Sequence, residues 1–444
     1  MINSIKCNLF NKNKNYKIKS GECMYDDGGY FIIRGKERVL VGQERINYNT
    51  PYVFLQKSSS KFKYICEIRS MDKIGKSSIV LVKVSKTGII YVTLPFIKDD
   101  IPLGILFRAY DFTLDDFSFI EKTHFIKIKQ IYDNMTSILI LTDEGKLQPN
   151  DRDHLSNKRC EVAGVLIYEL FKSLWKKLIK NVEQSLLKRC DIILIISRIN
   201  YITQGLRQCF STGNWSIHKN TYVRTGVSQI LNRLTYSATI SHLKRLIIPV
   251  GKEGKNTKIR QIHNSQFGYV CPSETPEGHS AGVVKNFSLL TRVSNHIKND
   301  SVLECIKNII KDCLSGKFKI LLNGVIIGFT NDPEDIILKL RNLRKINLLH
   351  KDVSISIHKI KKEILIYSDC GRLLRPLIDI KNFITNEEIE KYSWRDLVNK
   401  NKIVYLDSYE IENCVINMFS HKDINKDADY AEIHPSMMLS VCSS

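Results

Sequence analysis

The stretch "RQIHNSQFGYVCPSETPEGHSAGVVKN", residues 260–286, gathers a Cys, two His, two Glu, two Pro and three Gly in one short span. Three chemistries could use it. Cys271 could act as a thiol nucleophile, with His263 or His279 as its base. Pro272 argues against this, because it removes a backbone N–H beside the thiol, a donor of the kind that builds an oxyanion hole. His263, Cys271, Glu274, Glu277 and His279 are all possible metal ligands, but their spacing matches no zinc pattern. Glu274 and Glu277 could share acid–base work across a substrate. Pro276 stands between them and Gly278 follows, so the span reads as a turn, with Thr275 and Pro276 suited to the N-cap and N1 positions of a short helix. On the residues alone, a rigid structural turn is favoured.

Just upstream, residues 244–260 hold six basic side chains (Lys244, Arg245, Lys252, Lys255, Lys258 and Arg260) and a single acid, Glu253. Gly251 and Gly254 loosen the tip. A mobile basic loop braced by a stiff turn suits contact with a phosphate backbone. An ordinary solvated loop is the alternative.

The whole chain has 444 residues, 43% hydrophobic and 25% charged, which fits a folded protein of more than one domain. Lys and Arg number 67 against 46 acids, a formal net charge of +21. Such an excess favours a polyanionic partner, nucleic acid first and an acidic membrane surface second; Lys-rich AT-biased coding is the other explanation. The opening residues carry no signal-peptide core, and no apolar run approaches 18 residues, so no membrane span is expected. The twelve Cys are scattered without a C-x-x-C pair, which favours reduced, mostly buried thiols and no zinc ribbon.

Hydrophobic patterning predicts an α+β chain of several small β-rich and helical domains. Strands flank a turn at Arg34-Gly35 and another at Thr87-Gly88. Val162, Leu166, Leu170, Leu174 and Leu178, with a second row at Ile167, Phe171 and Trp175, predict an amphipathic helix with a broad apolar face. Lys172, Lys176 and Lys180 form a basic stripe on it, either a solvated face or a nucleic-acid contact. "DIILIISRINYI", residues 191–202, reads as a buried element, and 222–248 as helical. Further on come a helix at 301–314, a hairpin at "KILLNGVIIGFT", a basic helix near 333–345 and strands near 353–368.

"LKRLIIPVGKEGKNTKIRQIHNSQFGYVCPSETPEGHSAGVVKNFSLL", residues 243–290, closely resembles the fork region of the second-largest (β-like) subunit of multisubunit DNA-directed RNA polymerases. "TGNW" and "GVSQILNRLTYSATISHLKR" belong to the same block. "GECMYDDGGYFIIRGKERVLVGQER" resembles the family's protrusion, "LPFIKDDIP" its lobe, and "DRDHLSNKR" the return into the protrusion. "LNGVIIGF" and "DCGRLLRPL" resemble its external domains, and "EIHPSMMLSVCSS" the opening of its hybrid-binding domain. The wording is nearer the eukaryotic, archaeal and large-DNA-virus forms than the bacterial one.

The resemblance implies an α+β multidomain fold: 1–64 as the first part of the protrusion, 65–150 a reduced lobe, 151–210 the protrusion return and 211–295 the fork. External domains would follow at 296–380 and 381–430, with the start of the hybrid-binding domain at 431–444. It implies a subunit that binds DNA template and RNA transcript in DNA-templated transcription, with no membrane. Gln229, Asn232, His242 and Arg245 would line the transcript path, and Lys244, Lys252, Lys255, Lys258 and Arg260 would bind nucleic acid. Pro276 and Glu277 would support the active centre without covalent chemistry. No catalytic residue is expected in this chain. Mg²⁺ would be held mainly by the largest subunit, and no zinc is expected. The largest subunit and a carboxy-terminal remainder of the second-largest subunit would be partners, in a nucleus or, for a viral or plasmid-borne enzyme, in cytoplasm or virion. The chain begins inside the family's protrusion and stops as the hybrid-binding domain opens, so an amino-terminal portion, inactive alone, is expected. A stand-alone nucleic-acid-binding protein or an inactive truncated product are the alternatives.

Overall fold

The computed structural model describes residues 1–4, 7–8, 14–71, 77–95, 97–109, 145, 148–187, 193, 200–215, 224–250, 257–310, 316–382, 384, 386–418 and 428–443. Among these, the strands form five sheets with helices against them, the expected α+β arrangement.

One sheet is built from four remote pieces, in the order Val284–Asn286, Arg245–Ile247, Gly42–Ile46, Lys158–Glu161. Arg245–Ile247 runs parallel to Gly42–Ile46, and the other neighbours are antiparallel. Side-chain charge is buried at its centre. The Glu44 carboxylate lies 2.6 Å from Lys158 Nζ and 3.2 Å from Lys285 Nζ, each side chain at most 8% exposed. Burial pushes Glu44 up, but Lys285 and Lys158 outweigh it and hold the carboxyl below its ordinary value. A buried carboxylate requires such partners.

A second sheet joins Phe31–Ile33, Lys36–Leu40 and Ser228–Ile230. Arg34 and Gly35 both have positive φ, 52° and 72°, as a two-residue hairpin turn of the primed type requires. This sheet packs on the helix Ala163–Leu186 and its neighbour Tyr201–Thr212, burying Leu40, Leu166, Leu170, Leu174, Phe210 and Trp215. The leucine row is therefore core, as its spacing predicts. The second row is not: Phe171 is 40% and Trp175 47% exposed, because the neighbouring helix covers one side of the apolar face only. Lys176 and Lys180 are exposed and Lys172 is half-buried.

The sequence-expected hairpin at Thr87-Gly88 belongs to an antiparallel meander of Pro51–Leu55, Phe62–Met71, Ser77–Ser85, Ile90–Thr93 and Ile101–Pro102 around Val53, Cys66, Ile68, Val82 and Val92. A mixed four-stranded sheet (Val325–Thr330, Phe318–Leu322, Glu363–Tyr367, Ser354–His358) carries the helices Asn299–Ile310 and Pro333–Lys345. Its core holds Val302, Ile306, Ile320, Leu340, Ile355 and Ile366. Leu373–Asp379, buried at every position, is the spine of the fifth sheet and pairs with Arg292–Val293, Ile403–Asp407 and Tyr430–Ala431.

One expectation needs correction. Among the described residues of 222–248 the helical reading holds only for Tyr236–Leu243; Ser228–Ile230 is a strand, because Lys36–Leu40 offers it a sheet edge and the Ser228 hydroxyl bonds the Phe210 carbonyl. The helix foreseen at 301–314 is Asn299–Ile310 in its described part. The element read at 191–202 lies mostly outside the described residues; Ile193, which is described, is 83% exposed. The described cysteines are free thiols, of which Cys66, Cys160, Cys209 and Cys271 are buried.

Candidate nucleic-acid interface

The helix Tyr236–Leu243 starts where the Thr235 hydroxyl accepts the Ala238 N–H at 3.1 Å, an ordinary N-cap. His242, near its other end, is 4% exposed. Its Nδ1 accepts the Asn232 backbone N–H at 3.1 Å, so Nε2 carries the proton and donates to Gln229 Oε1 at 2.9 Å. Gln229 Nε2 then donates to the Gly226 carbonyl at 2.9 Å, and Asn232 Oδ1 accepts from Leu234 N at 3.0 Å. The expected residues Gln229, Asn232 and His242 thus form one network. Burial, then the charge of Arg245, lowers His242 to about 4, so the imidazole is neutral at pH 7.

Lys244 turns inward and donates to the carbonyls of Ser288 and Leu289; burial lowers its pKa. Arg245 is half-buried on its strand, with Nε unpartnered. Lys252 and Lys255 lie outside the described residues. Lys258 is exposed and opens the short 3-10 helix Lys258–Arg260. Arg260 donates to the carbonyls of His279 at 2.7 Å and Ala281 at 2.8 Å, fastening the end of the basic loop to the turn. Gly282 permits that approach: it has φ +71°, and a Cβ there would come within 2.2 Å of the Arg260 carbonyl oxygen.

In the turn, Pro276 and Glu277 are exposed. The short helix is Gly278–Ser280 with Glu277 at the N-cap, two residues later than Thr275 and Pro276 suggested. Thr275 serves elsewhere: its hydroxyl donates to the Val284 carbonyl and accepts the Gly282 N–H, both at 2.9 Å, closing the turn. Glu274 is also occupied. Its carboxylate accepts the hydroxyls of Ser241 and Ser440, and its carbonyl accepts Asn286 Nδ2 at 3.3 Å. Cys271 is buried, and burial pushes its thiol up. Hydrogen bonds from the Ser440 side chain and from the backbone of Glu274, Ser273 and Ser440 outweigh this and leave it lowered. His263 faces away from a thiol role, with Nδ1 beside the Ser265 hydroxyl at 2.7 Å and Nε2 on Asp151 at 3.1 Å. Among the described residues no three His, Cys, Asp or Glu side chains converge as a metal-holding group.

A further arrangement escaped the sequence reading. His154, His263 and His434 each cap a 3-10 helix, Nδ1 accepting the backbone N–H of the serine two positions on. The first two are locked together: their rings meet edge to face at 5.1 Å, and Leu155 N donates to Ser265 Oγ at 2.8 Å. His154 Nε2 reaches Glu412 at 2.9 Å. The signal was present as a thrice-repeated H-x-S, in "HLS", "HNS" and "HPS".

Across these segments many of the described polar side chains are engaged in internal hydrogen bonds. Comparison with known proteins gives the family. Residues 1–198 match the family described as RNA polymerase beta subunit, 229–293 match RNA polymerase Rpb2, domain 3, and 320–381 match RNA polymerase Rpb2, domain 4. A probable DNA-directed RNA polymerase II subunit RPB2 homolog of Invertebrate iridescent virus 6 is 33% identical over all of this chain and 47% of its own length. DNA-directed RNA polymerase II subunit 2 of Arabidopsis thaliana is 31% identical over 100% of this chain and 47% of its own. Subunit Rpo2 of Sulfolobus acidocaldarius is 28% identical over 96% and 46%. The chain therefore belongs to the family of second-largest subunits of multisubunit DNA-directed RNA polymerases, and it spans about half the length of the relatives it matches.

Proposed function

We propose that the chain works as part of the second-largest subunit of a DNA-directed RNA polymerase, holding DNA and nascent RNA around the active centre during DNA-templated transcription. The observation that carries this is the ordered series of family segments along the chain. The net charge of +21 supports a nucleic-acid partner.

In this reading Gln229 and Asn232, braced by the buried neutral His242, lie on the transcript path, and Lys244, Arg245 and Arg260 add positive charge for nucleic acid. Lys252, Lys255 and Lys258 meet the phosphate backbone. Pro276 and Glu277 support template and incoming nucleotide. Phosphoryl transfer needs Mg²⁺, and in this reading that ion is held mainly by the largest subunit. That subunit and further second-largest-subunit sequence would be the protein partners. The division of the chain into protrusion, lobe, fork and external domains is part of the same proposal, as is a nuclear, cytoplasmic or virion location. No described helix is long and apolar enough to cross a membrane.

Affinity purification of the tagged chain from its native host tests the reading. Recovery of a largest subunit together with DNA-templated RNA synthesis is the expected result, while the purified chain alone should synthesise nothing. Recovery of nucleic acid with no polymerase subunit would favour a stand-alone binding protein instead.

A further inference from the structure

We propose that the outward face of the helix Ala163–Leu186 binds a single strand of nucleic acid, its bases stacked on an aromatic row and its phosphates held by the lysines alongside. The site lies on a different element from the fork turn, so its failure would leave the transcription reading standing. Leu166, Leu170 and Leu174 fill the buried side of this helix. Away from them, Tyr168, Phe171, Trp175 and Ile179 recur at helical spacing and are 59%, 40%, 47% and 42% exposed. Large apolar side chains normally meet solvent singly, and a contiguous exposed row of them marks a binding surface. At roughly 1.5 Å of rise per residue the row is about 16 Å long, room for a few nucleotides.

Ring type and charge decide the occupant. The row is aromatic but for Ile179, and Phe171 and Trp175 are oriented alike, with ring centroids 6.1 Å apart and planes inclined by only 21°. Flat exposed rings stack on bases of any sequence. Phe171, Trp175 and Ile179 are each followed directly by a lysine, so Lys172, Lys176 and Lys180 form a second row along the first. Lys176 and Lys180 are exposed. Lys172 turns back over Tyr168, its Nζ buried and 5.9 Å from the ring centroid, and takes no phosphate. Of the acids on this helix, Glu169 lies 3.9 Å from Arg224, and Glu183 stands a turn beyond the end of the row. Aromatic rings edged by cations match the two sides of a single strand, bases and backbone. A duplex keeps its bases covered, and a docked apolar helix would leave the lysines without counter-charge.

Tryptophan fluorescence of the full chain tests this. Of the three Trp, Trp215 is buried with its ring N–H on the Leu166 carbonyl at 2.9 Å, and Trp394→Phe removes the other exposed one, leaving Trp175 as reporter. The probes are oligothymidylate of about 12 nucleotides, a duplex of the same length, and heparin, a polyanion without bases. Saturable, salt-sensitive quenching by oligothymidylate alone is expected. Phe171→Leu should weaken it about tenfold, within the usual worth of one stacked base. Lys176→Gln combined with Lys180→Gln should flatten the log–log salt slope by about 0.7 for each phosphate released. Absence of saturable quenching by oligothymidylate would overturn the proposal and leave the face to a protein partner. Equal quenching by the duplex or by heparin would overturn it as well. So would an unchanged affinity in Phe171→Leu, or in the double lysine variant should the phenylalanine variant fail to fold by circular dichroism.

Discussion

The carboxylate of Glu274 accepts the hydroxyl of Ser440, 166 positions further along the chain, while also accepting that of Ser241 on the helix Tyr236–Leu243. One acid thus ties the turn to the segment Pro435–Met438 and its continuation, where Leu289 N also bonds the Leu439 carbonyl at 2.9 Å. Replacing Glu274 with Ala strands two hydroxyls, at a cost of about 1–3 kcal/mol. The expected outcome is faster hydrogen exchange at residues 286–289 and 435–443, with Glu274→Gln intermediate. Protection unchanged in the alanine variant would show that the acid braces nothing.

The basic loop should act through counterion release. With Lys252, Lys255 and Lys258 all changed to Ala, affinity for nucleic acid should fall, and the log–log salt slope should flatten by about 0.9 for each lysine that engaged a duplex phosphate. Filter binding over a series of salt concentrations measures this. A slope equal to the parent's would mean the loop is merely solvated.

Acid sensitivity should begin above the carboxylate range. His242 and His358 are both lowered to about 4, first by burial and then by Arg245 and Lys361 respectively. Unfolded, each takes a proton near 6.5; folded, not until about 4. The unfolded state therefore binds more protons between these values. The contribution is complete above pH 6.5 and is lost as pH falls toward 4, by up to about 1.4 kcal/mol per pH unit per imidazole. Glu44 acts in the same direction only below its ordinary value of 4.5. Urea titrations at pH 7, 6 and 5 should show His242→Gln removing roughly half of this slope; an identical slope would exclude His242 as its source.

The charged cluster in the four-piece sheet should behave asymmetrically. Lys285→Met leaves Glu44 buried with Lys158 alone and should cost about 3–5 kcal/mol. Adding Glu44→Gln should restore part of the loss. Denaturant midpoints check both, and additivity of the two changes would argue against a coupled cluster.

Much of this was legible in the residues. The Leu166–Leu170–Leu174 row, the hairpins at Arg34-Gly35 and Thr87-Gly88 and the helix Pro333–Lys345 follow from local periodicity and turn chemistry. The hydrogen-bonded joining of Gln229, Asn232 and His242 was not spelled out by spacing; the family resemblance grouped them only as transcript-path residues. What stayed hidden depends on partners far away in sequence. Ser228–Ile230 is a strand because Lys36–Leu40 lies beside it. Phe171 and Trp175 have the period of core residues, but among the described residues no packed element covers them. Glu274 looked like a candidate acid until Ser241 and Ser440 were brought to it.

The sheet that seats Gly42–Ile46 between Lys158–Glu161 and Arg245–Ile247 has a consequence for how this lineage can vary. Its seams carry buried charge, and long excursions of the chain separate its strands. The alignment with the iridescent-virus relative runs over 569 positions against a chain of 444, so whole stretches present in one are missing from the other. Length can differ so widely only where packing does not depend on it, whereas an exchange of sign at Glu44 would set a buried cation against Lys158 and Lys285.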